Sequence, residues 1–360
     1  MAIVGGGQSG LAAARAARDA GWRPVVLEAG DRPAGSWPDY YDSLALFSPA
    51  EFSGFPGFGF PGDPNRYPNR DEVVDFLTRY ADWLGADVRT GWRVTEVRAA
   101  GTGFELRSAD GRSVTGDGLI AASGSFANPY RPRLLRQDDF GGDLRHVADY
   151  RSPARFAGRR VVVVGSGNSA VQVGHELADV AEVTLAVRSP IRFWPQTRGG
   201  RDMHYWYRKL GVDLLPPAVL TRLVRTKPVF DTGGYQHGLT SGRWHERQMF
   251  TGFTDDGVVW ADGSNEPVDA VILATGYRPA LPYLTGLDAL DAGGTPVHRH
   301  GVSLTHHGLG FLGLEFQRSF SSNTLRGVHR DAAFVVRKLT QRLAAFTGRD
   351  VGALVDTERR

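Results

Sequence analysis

The sequence contains no cysteine among its 360 residues. Disulfide bonds, thiolate metal sites and thiol-based redox chemistry are therefore excluded. No apolar run approaches the roughly 18 residues of a membrane span, and no signal peptide precedes the first strand, so we expect a cytoplasmic protein without a membrane partner. The sequence also lacks a large excess of charge, since it contains 42 basic and 39 acidic residues. The basic residues are interspersed along the chain. This pattern does not favour a nucleic-acid partner.

The sequence contains 41% hydrophobic residues, which is enough for a full core. Its length alone suggests two or three domains. Strand and helix patterns alternate, which predicts an α/β fold. The first unit consists of a buried strand at Ala2–Val4, a glycine turn, a helix at Leu11–Ala20 ended by Gly21, and a strand at Pro24–Leu27.

The first glycine turn places Gly5, Gly7 and Gly10 in the pattern G-x-G-x-x-G, and Glu28 closes the next strand. In a dinucleotide-binding fold these glycines allow a tight turn, close approach of a pyrophosphate, and close packing of helix on strand. The helix N-terminus attracts the phosphates, and the carboxylate accepts hydrogen bonds from a ribose diol. Because all these parts are in register, we predict a site for an adenine dinucleotide with a free ribose.

A second unit begins at Arg160 and carries Gly165, Gly167 and Ala170 in a G-x-G-x-x-A variant. At the position equivalent to Glu28 the chain has Arg188. A guanidinium binds a 2′-phosphate through charge-assisted hydrogen bonds, which an acid there would oppose. The contrast predicts FAD at the first site and NADPH at the second, with hydride passing from nicotinamide to flavin. The alternative is that Arg188 is only a solvated residue at a strand end.

The remaining segments are assigned more coarsely. Residues 30–70 are predicted to be an aromatic loop layer over a ligand, followed by a helix at Arg70–Leu84 and an antiparallel meander over 92–120. Residues 194–252 are expected to form an excursion within the second domain that lines the substrate entrance or an oligomer contact. Their histidines, His204, His237 and His245, lack metal-ligand spacing, so no metal site is expected.

Between the two units, Phe140, Gly142, His146 and Tyr150 have the spacing F-x-G-x-x-x-H-x-x-x-Y. With the following Arg151, this resembles the fingerprint of the class B flavin monooxygenases, and its Tyr-Arg ending is most similar to the flavin-containing monooxygenases. The resemblance continues in AGSW at 34–37, SLALFSP at 43–49 and LATGY at 273–277. It covers nearly the whole chain, although residues 195–255 match loosely.

The resemblance implies an NADPH-binding domain inserted into an FAD-binding domain, both Rossmann-like. We therefore expect FAD-domain segments at 1–128 and 279–360, the latter with a C-terminal helix, and the NADPH domain at 129–278. It also implies that NADPH reduces FAD and that O2 then gives a C4a-hydroperoxyflavin, which oxygenates a nitrogen or sulfur of a small organic substrate. Baeyer–Villiger oxygenation of a ketone, a flavin reductase or electron-transfer protein, and a non-catalytic flavoprotein scaffold remain alternatives.

The expected cofactor-binding residues form two groups, and a third set of residues is expected to act as a hinge. For FAD they are Gly5, Gly7, Gln8, Ser9, Gly10, Glu28, Gly35, Ser36, Trp37, Val94 and Thr324. For NADPH they are Gly165, Gly167, Asn168, Ser169, Arg188, Ser189, Thr275 and Gly276. In the motif that carries the resemblance, Phe140, Gly142, His146 and Tyr150 are expected to act as a hinge or gate.

Three residues are candidates for the reaction site: Phe47, Asn168 and Gln317. Phe47 occupies the position at which many flavin-containing monooxygenases carry an active-site Asn, and its ring cannot supply the hydrogen bonds of an amide. Asn168 and Gln317 are candidates for nicotinamide or flavin contacts, and a helix-terminal amide and a loop amide are their structural alternatives. The substrate's identity does not follow from the sequence, and a homodimer is compatible with it.

Overall fold

A computed structural model describes residues 1–215, 219 and 228–348. Its strands, in chain order, are β1 (Ala2–Val4), β2 (Val25–Leu27), β3 (Asp87–Arg89), β4 (Val94–Ala100), β5 (Gly103–Ser108), β6 (Ser113–Gly116), β7 (Leu119–Ala121), β8 (Asp143–His146), β9 (Arg160–Val164), β10 (Glu182–Val187), β11 (Phe193–Trp194), β12 (Thr197–Arg198), β13 (Arg201–Asp202), β14 (Val229–Phe230), β15 (His245–Gln248), β16 (Gly252–Phe253), β17 (Gly257–Val259), β18 (Asn265–Pro267), β19 (Ala270–Leu273), β20 (His298–Arg299), β21 (Val302–Ser303) and β22 (Leu309–Phe311).

The α-helices are α1 (Gln8–Asp19), α2 (Arg70–Leu84), α3 (Asn168–Leu177), α4 (Met203–Lys209), α5 (Tyr235–Thr240) and α6 (Leu325–Thr347). The predicted bounds of α2 are confirmed, because Asn69 and Glu72 form a reciprocal capping box at its start and Gly85 ends it in the left-handed conformation. Helix α1 begins earlier than predicted, at Gln8, because the end of the glycine motif already forms its first turn.

The first large sheet has the strand order β20-β21-β22-β7-β1-β2-β3. Its central strands are parallel, and Ala2–Val4 pairs with both neighbouring strands. Helices α1 and α6 pack together, and Trp22, in the turn after α1, donates a 2.8 Å hydrogen bond to the Thr340 hydroxyl of α6. The buried apolar stripe of α6 therefore ties the end of the described chain to its first unit.

The second sheet has the order β15-β10-β9-β19-β8, and its strands are parallel. The valines of β9 are buried on both faces, as in a parallel sheet covered on two sides. All strands of this sheet lie between β7 and β20 in the sequence. The α/β prediction is thus confirmed, and the second sheet is formed entirely by residues between the two parts of the first.

The two sheets repeat one plan. In each, the first strand of the unit is flanked by the strand after the helix and by a closing strand, β7 or β19. In each, a three-stranded antiparallel meander, β4-β5-β6 or β16-β17-β18, precedes that closing strand. The carboxyl ends of the central strands therefore form one edge in each sheet, which is where ligands bind in open α/β sheets.

One predicted boundary is wrong. The sequence predicts that the excursion continues to residue 252, but His245–Gln248 forms β15, an edge strand parallel to β10. The pairing of Thr184 with His245 returns the chain to the sheet, because the backbone groups along the edge of β10 need partners. Among the described residues no helix is long and apolar enough to cross a membrane.

Candidate active site

The first glycine turn lies at the carboxyl end of β1. Gly5 adopts φ +104°, and a Cβ atom on it would lie 2.5 Å from the carbonyl oxygen of Ala122. A Cβ atom on Gly10 would lie 1.8 Å from the carbonyl oxygen of Gly5. Helix α1 starts after Gly7 without a side-chain cap, so its first N–H groups keep free hydrogen-bonding capacity. Strand, turn and helix therefore have the geometry that the glycine pattern predicts.

Glu28 lies at the end of β2, with only 4% of its surface exposed. Its carboxylate accepts hydrogen bonds from the backbone N–H of Gly6, at 2.5 Å, and of Gly30, at 2.6 Å. A carboxylate has about four lone-pair sites, so about two remain for a ligand. Glu28 thus holds the glycine turn to the next loop in addition to its predicted role toward a ribose.

The residues predicted around the first turn come together there. A Cβ atom on Gly35, which has φ +56°, would lie 2.8 Å from Gly7 Cα, so this loop passes directly over the turn. Trp37 donates a 2.6 Å hydrogen bond from Nε1 to Gln8 Oε1. Gln8 Nε2 in turn donates to the Asn323 carbonyl at 3.4 Å, one residue before Thr324 at the start of α6.

Three of the other residues predicted for the FAD site have simple positions. Ser9 is buried in the first turn of α1, and Ser36 immediately precedes the short 3-10 turn that begins with Trp37. Val94 lies apart from the turn, in the core under the meander and in the same cluster as Leu27. Its place in the site stays a prediction.

The second glycine turn repeats the first at the end of β9. Gly165 has φ +142°, and a Cβ atom there would lie 2.6 Å from the Ala274 carbonyl oxygen. Ala170 is tolerated where the first turn needs Gly10, and its Cβ lies 3.3 Å from a Cβ built on Gly165. Helix α3 also starts, after Gly167, without a side-chain cap, and Asn168 and Ser169 form its first residues.

Arg188 and Ser189 come directly after β10 and are exposed. Within the part of the chain that the structure describes, the Arg188 guanidinium has no hydrogen bond or ion pair. Thr275 and Gly276 lie after β19, and the Gly276 carbonyl accepts hydrogen bonds from the Tyr130 N–H at 2.9 Å and from His146 Nε2 at 3.1 Å. The exposed arginine at the strand end is available for an anionic group.

The predicted motif is a structural joint. The ring of Phe140 lies on Gly142, where a Cβ atom would be 2.3 Å from Phe140 Cζ. His146 is fully buried, its Nδ1 accepts from the Ala148 N–H at 3.0 Å, and Nε2 therefore donates to the Gly276 carbonyl. Burial lowers the pKa of His146, which keeps the ring neutral near pH 7. Tyr150 donates to Glu176 Oε2 at 2.8 Å.

Arg151 extends this joint to the aromatic loop. Its Nη1 donates to the carbonyl oxygens of Pro38 and Tyr40, at 3.0 and 2.8 Å, and its own carbonyl accepts from the Asp42 N–H. The end of the motif therefore holds the loop that carries Trp37. A movement of one sheet relative to the other would act on this contact, and the hinge role stays a prediction.

Phe47 belongs to a group of rings that we call the aromatic cluster. Its ring stacks on Phe230 with a centroid separation of 5.6 Å, and it lies 6.1 Å from the ring of His204. The cluster brings together rings from four separate parts of the sequence. Its members are Phe47, Phe52, His204, Tyr207, Phe230 and Phe320.

One hydrogen bond links the cluster to the second glycine turn, and the sequence links it to the first. The Phe230 N–H donates to Asn168 Oδ1 at 3.4 Å, at the start of α3. Phe320 comes shortly before Asn323, whose carbonyl contacts Gln8 of the first turn. Of the three candidate reaction-site residues, Phe47 and Asn168 therefore meet around Phe230.

Gln317 has a different environment. It is buried, its Nε2 donates to the Phe311 carbonyl at 3.0 Å, and its Oε1 accepts from the Leu314 N–H at 3.3 Å. Both ends of the amide are thus used within its own loop, which favours the structural alternative. A catalytic role for Gln317 stays a prediction without support from its contacts.

Sequence reasoning missed a carboxylate–histidine pair in the cluster. Asp202, which caps α4, accepts from His204 Nδ1 at 2.7 Å through Oδ1. Asp202 Oδ2 accepts from the Tyr67 hydroxyl at 2.7 Å and from Gln196 Nε2 at 2.6 Å. Only 1% of His204 is exposed. The one signal in the sequence is the spacing Asp-x-His inside an aromatic segment.

The surroundings set the charge states of this pair. Burial opposes ionisation of Asp202, but hydrogen bonds from His204, Tyr67 and Gln196 outweigh it and lower the pKa of the carboxyl. Burial lowers the pKa of His204, against the opposing effect of Asp202. The pair is therefore a carboxylate and a neutral imidazole with its proton on Nδ1.

A buried ion pair attaches this segment to the last helix. Arg326 on α6 donates to both carboxylate oxygens of Asp213, at 2.9 and 3.2 Å, and both side chains are less than one-tenth exposed. The pair lies beside Tyr207 and Phe320, whose ring centroids are 5.9 and 5.8 Å from the Arg326 guanidinium carbon. It fixes the position of the cluster relative to the first sheet.

Comparison with known proteins identifies the family of this chain. The family model described as pyridine nucleotide-disulphide oxidoreductase matches residues 2–208. The structure of a flavin-containing monooxygenase from Stenotrophomonas maltophilia is similar with a TM-score of 0.83 and 31% identity, covering 94% of this chain and 97% of the other. The chain belongs to the flavin monooxygenase family.

Curated relatives of this flavin monooxygenase support the same family assignment. The indole-3-pyruvate monooxygenase YUCCA1 of Oryza sativa subsp. japonica is 32% identical, over 78% of this chain and 77% of its own length. An uncharacterized CzcO-like oxidoreductase of Geobacillus kaustophilus is 29% identical over 94% and 97% of the two chains. The resemblance stated from the sequence is confirmed, and the chain is an oxidoreductase of this group. Without cysteine, it lacks the thiols that disulfide reduction by a cysteine pair requires.

Proposed function

We propose that this chain is an FAD- and NADPH-dependent monooxygenase that oxygenates a nitrogen or sulfur atom of a small organic substrate. The observation that carries the proposal is that the strand after each glycine turn is followed by a charged side chain, and that the two charges have opposite signs. Glu28 is buried at one turn, and the exposed Arg188 comes after the equivalent strand of the other. A free ribose suits the first, and a 2′-phosphate suits the second.

The residues at both turns fit the dinucleotides. Both helices begin without a side-chain cap, and a Cβ atom on Gly167 would have no protein atom within 4 Å, so the backbone there is open to a phosphate. Gln8, Ser9, Trp37 and Thr324 would hold FAD with the first turn. Asn168, Ser169, Ser189 and Thr275 would hold NADPH with the second.

The proposed function assigns each sheet to one dinucleotide. Residues 1–128 and 279–360 would form the FAD domain and residues 129–278 the NADPH domain, with the sheet order as support. Residues 349–360 and most of 216–227 lie outside the described residues.

When bound, FAD reduced by NADPH and exposed to O2 supplies an oxygen atom to a soft nucleophile. The task of the chain is to exclude water and to orient the two partners. Rings of the aromatic cluster are suited to both, since they offer apolar faces. Phe47 contributes shape and no hydrogen bond there, because its ring has no polar atom.

The test is an isotope experiment on purified, FAD-loaded protein. With NADPH, 18O2 and benzyl methyl sulfide, we expect one 18O atom in the sulfoxide and, in stopped flow, an absorbing species distinct from reduced and oxidised flavin. NADPH oxidation that yields only hydrogen peroxide, with direct return of oxidised flavin across a panel of amines, sulfides and cyclic ketones, would make the protein a flavin reductase. Failure to bind flavin would rule out both enzymes.

A further inference from the structure

A cleft of about 820 Å³ lies beside the segments that connect the two sheets. We call it the connector cleft, and its walls are formed by Arg93, by residues 127–128 and by parts of the segment 278–295. Its volume is in the range of small-molecule sites, roughly 300–1,000 Å³. The residues predicted to bind FAD or NADPH are not among its lining residues.

The cleft touches both connectors. Residues 122–142 run from β7 to β8, and residues 274–297 return from β19 to β20. The two connectors pair with each other, since the Arg278 N–H donates to the Asn128 carbonyl at 2.9 Å. Arg93 comes directly before β4 of the first meander. A molecule in the cleft would therefore contact both connectors and this meander at once.

The charge of the cleft has one sign. Arg93 and Arg278 line it, and its described lining residues include no aspartate or glutamate. Within the described part of the chain neither guanidinium has an ion pair or a hydrogen bond, and that of Arg278 lies over the Tyr130 ring at 4.2 Å. The wall thus contains two cationic groups without a counter-charge from the chain.

Arg98, in the same meander, provides a contrast. Its guanidinium lies 2.7 Å from the Glu96 carboxylate, and the acid stands two residues before the arginine. Before Arg93 and before Arg278 the same place is occupied by a glycine. The sequence therefore gives a counter-charge to the arginine outside the cleft and none to the two arginines that line it.

Backbone donors in the cleft are already used. The N–H groups of Gly293 and Thr295 donate to Asp291 Oδ1 at 2.9 and 2.8 Å, and Asp291 itself is not part of the wall. The N–H of Ala280 donates to the Gly124 carbonyl at 2.9 Å. The guanidinium groups are therefore the main free donors for a ligand.

The remaining wall favours an anion with an organic body. Ala280 and Leu281 are buried, and the half-buried Pro279 and Leu290 add further apolar surface. A guanidinium binds a phosphate or a carboxylate through its planar fork. Two guanidiniums together suit a double negative charge, which a phosphomonoester carries almost fully near pH 7.

We propose that the connector cleft is a further ligand site, separate from the two dinucleotide sites, and that it binds a small organic phosphate. Arg93 and Arg278 hold the phosphate, and the organic body lies on Ala280, Leu281 and Leu290. Because the ligand joins the meander to a connector, its binding stabilises the pairing of the connectors. The inference concerns binding and does not depend on the proposed oxygenation.

Four probes test the proposal by titration calorimetry at about pH 7.5, where a phosphomonoester is almost fully dianionic. The protein is loaded with FAD and saturated with NADP⁺, so that both dinucleotide sites are filled. Phenyl phosphate combines the double charge with a ring, inorganic phosphate has the charge alone, benzoate has a ring with a single charge, and phenol has the ring alone.

The key variants are Arg93→Gln and Arg278→Gln, and the matched control is Arg98→Gln in the same meander. We expect phenyl phosphate to bind more tightly than the other three probes. Each key variant should weaken its binding by about tenfold, as for loss of a charge-assisted hydrogen bond at an open site. Arg98→Gln should leave binding unchanged. None of the three variants should change the flavin content or the unfolding temperature without probe, because all three side chains are exposed.

Other results overturn the proposal. Equal binding of phenyl phosphate and inorganic phosphate would show that the apolar wall contributes nothing, and equal binding of phenyl phosphate and phenol would show that the arginines contribute nothing. Equal losses in all three variants would indicate a general effect of charge. A loss of flavin in Arg93→Gln would assign the cleft to the adenosine end of FAD. Absence of phenyl phosphate binding would remove the site.

Hydrogen exchange locates the probe independently. The amides of Tyr130 and Arg278, which donate across the connectors to the Gly276 and Asn128 carbonyls, should exchange more slowly with phenyl phosphate bound. Amides in the two glycine turns should not change. Protection at a glycine turn in place of the connectors would show that the probe occupies a dinucleotide site. Neither measurement requires turnover, so the result stands even if the protein proves to be a flavin reductase.

Discussion

The two glycine turns share one backbone plan and differ in the side chains that complete them. In both turns, the first glycine lies against the carbonyl oxygen of the residue that follows the closing strand. In both, the helix starts without a side-chain cap. At the first turn the helix comes so close that Gly10 has no room for a methyl group, and a buried acid ties turn and loop together. At the second turn an alanine fits, and the strand pairing makes Val187 the equivalent of Glu28, so that the exposed Arg188 lies one residue further along the chain than the sequence count predicts. The first turn is therefore closely packed, whereas the second leaves its arginine exposed, where we propose that it binds a 2′-phosphate.

The largest effect expected from this comparison is that of Gly10→Ala. The new methyl group would lie 1.8 Å from the Gly5 carbonyl oxygen. We expect a loss of about 3 kcal/mol in the free energy of unfolding, at the upper end for overpacked sites, together with loss of flavin uptake. Thermal unfolding and the flavin absorbance of the purified protein measure both.

The reverse exchange in the other turn, Ala170→Gly, is its matched control. It should cost about 2 kcal/mol, because glycine has a lower helix propensity than alanine and a buried methyl group is lost, and it should not impair NADPH binding. Similar losses for both variants would contradict the difference in packing between the turns.

Arg188→Ala is expected to have the next largest effect. With the guanidinium removed, kcat/KM for NADPH should fall by roughly tenfold to a hundredfold, as for loss of charge-assisted hydrogen bonds. The value for NADH should barely change, because NADH has no 2′-phosphate. Steady-state rates with both nucleotides decide this, and parallel losses would mean that Arg188 does not contact the phosphate.

Among the three main variants, Glu28→Gln should have the smallest effect, and it tests the difference in burial between Glu28 and Arg188. A glutamine has one acceptor oxygen, whereas Glu28 receives hydrogen bonds from both Gly6 and Gly30. We expect the protein without cofactors to lose about 1.5 kcal/mol in urea unfolding. Arg188→Gln should stay within about 0.5 kcal/mol, as an exposed substitution does. A neutral result for Glu28→Gln would show that its carboxylate is not needed to hold the turn.

Much of the fold could be predicted because its signals are local. The valines of β9, the glycine spacing and the Asn69–Glu72 cap each act over a few residues, and the structure shows the elements they predict. The joint at Phe140 and Gly142 is also visible as a spacing, but the reason for it, a ring lying on a residue without a side chain, requires coordinates.

The rest depends on contacts between distant segments. Phe47, His204 and Phe230 meet from three parts of the sequence, and no periodicity connects them. The sequence places His245 in an excursion because its segment is rich in Trp, Tyr, Arg and His. The unpaired edge of β10 brings it into the sheet instead. The Asp202–His204 pair escapes sequence reasoning for the same reason, since its importance depends on burial.

The contact between Asp213 and Arg326 has a consequence for how the protein is made. Removing one partner of such a buried pair costs about 3–5 kcal/mol, because the other charge is left uncompensated. During synthesis both glycine turns leave the ribosome well before residue 326. The aromatic cluster can take its final position only after α6 has emerged and Arg326 has paired with Asp213, so the newly made chain should form its two glycine turns first and the aromatic cluster last.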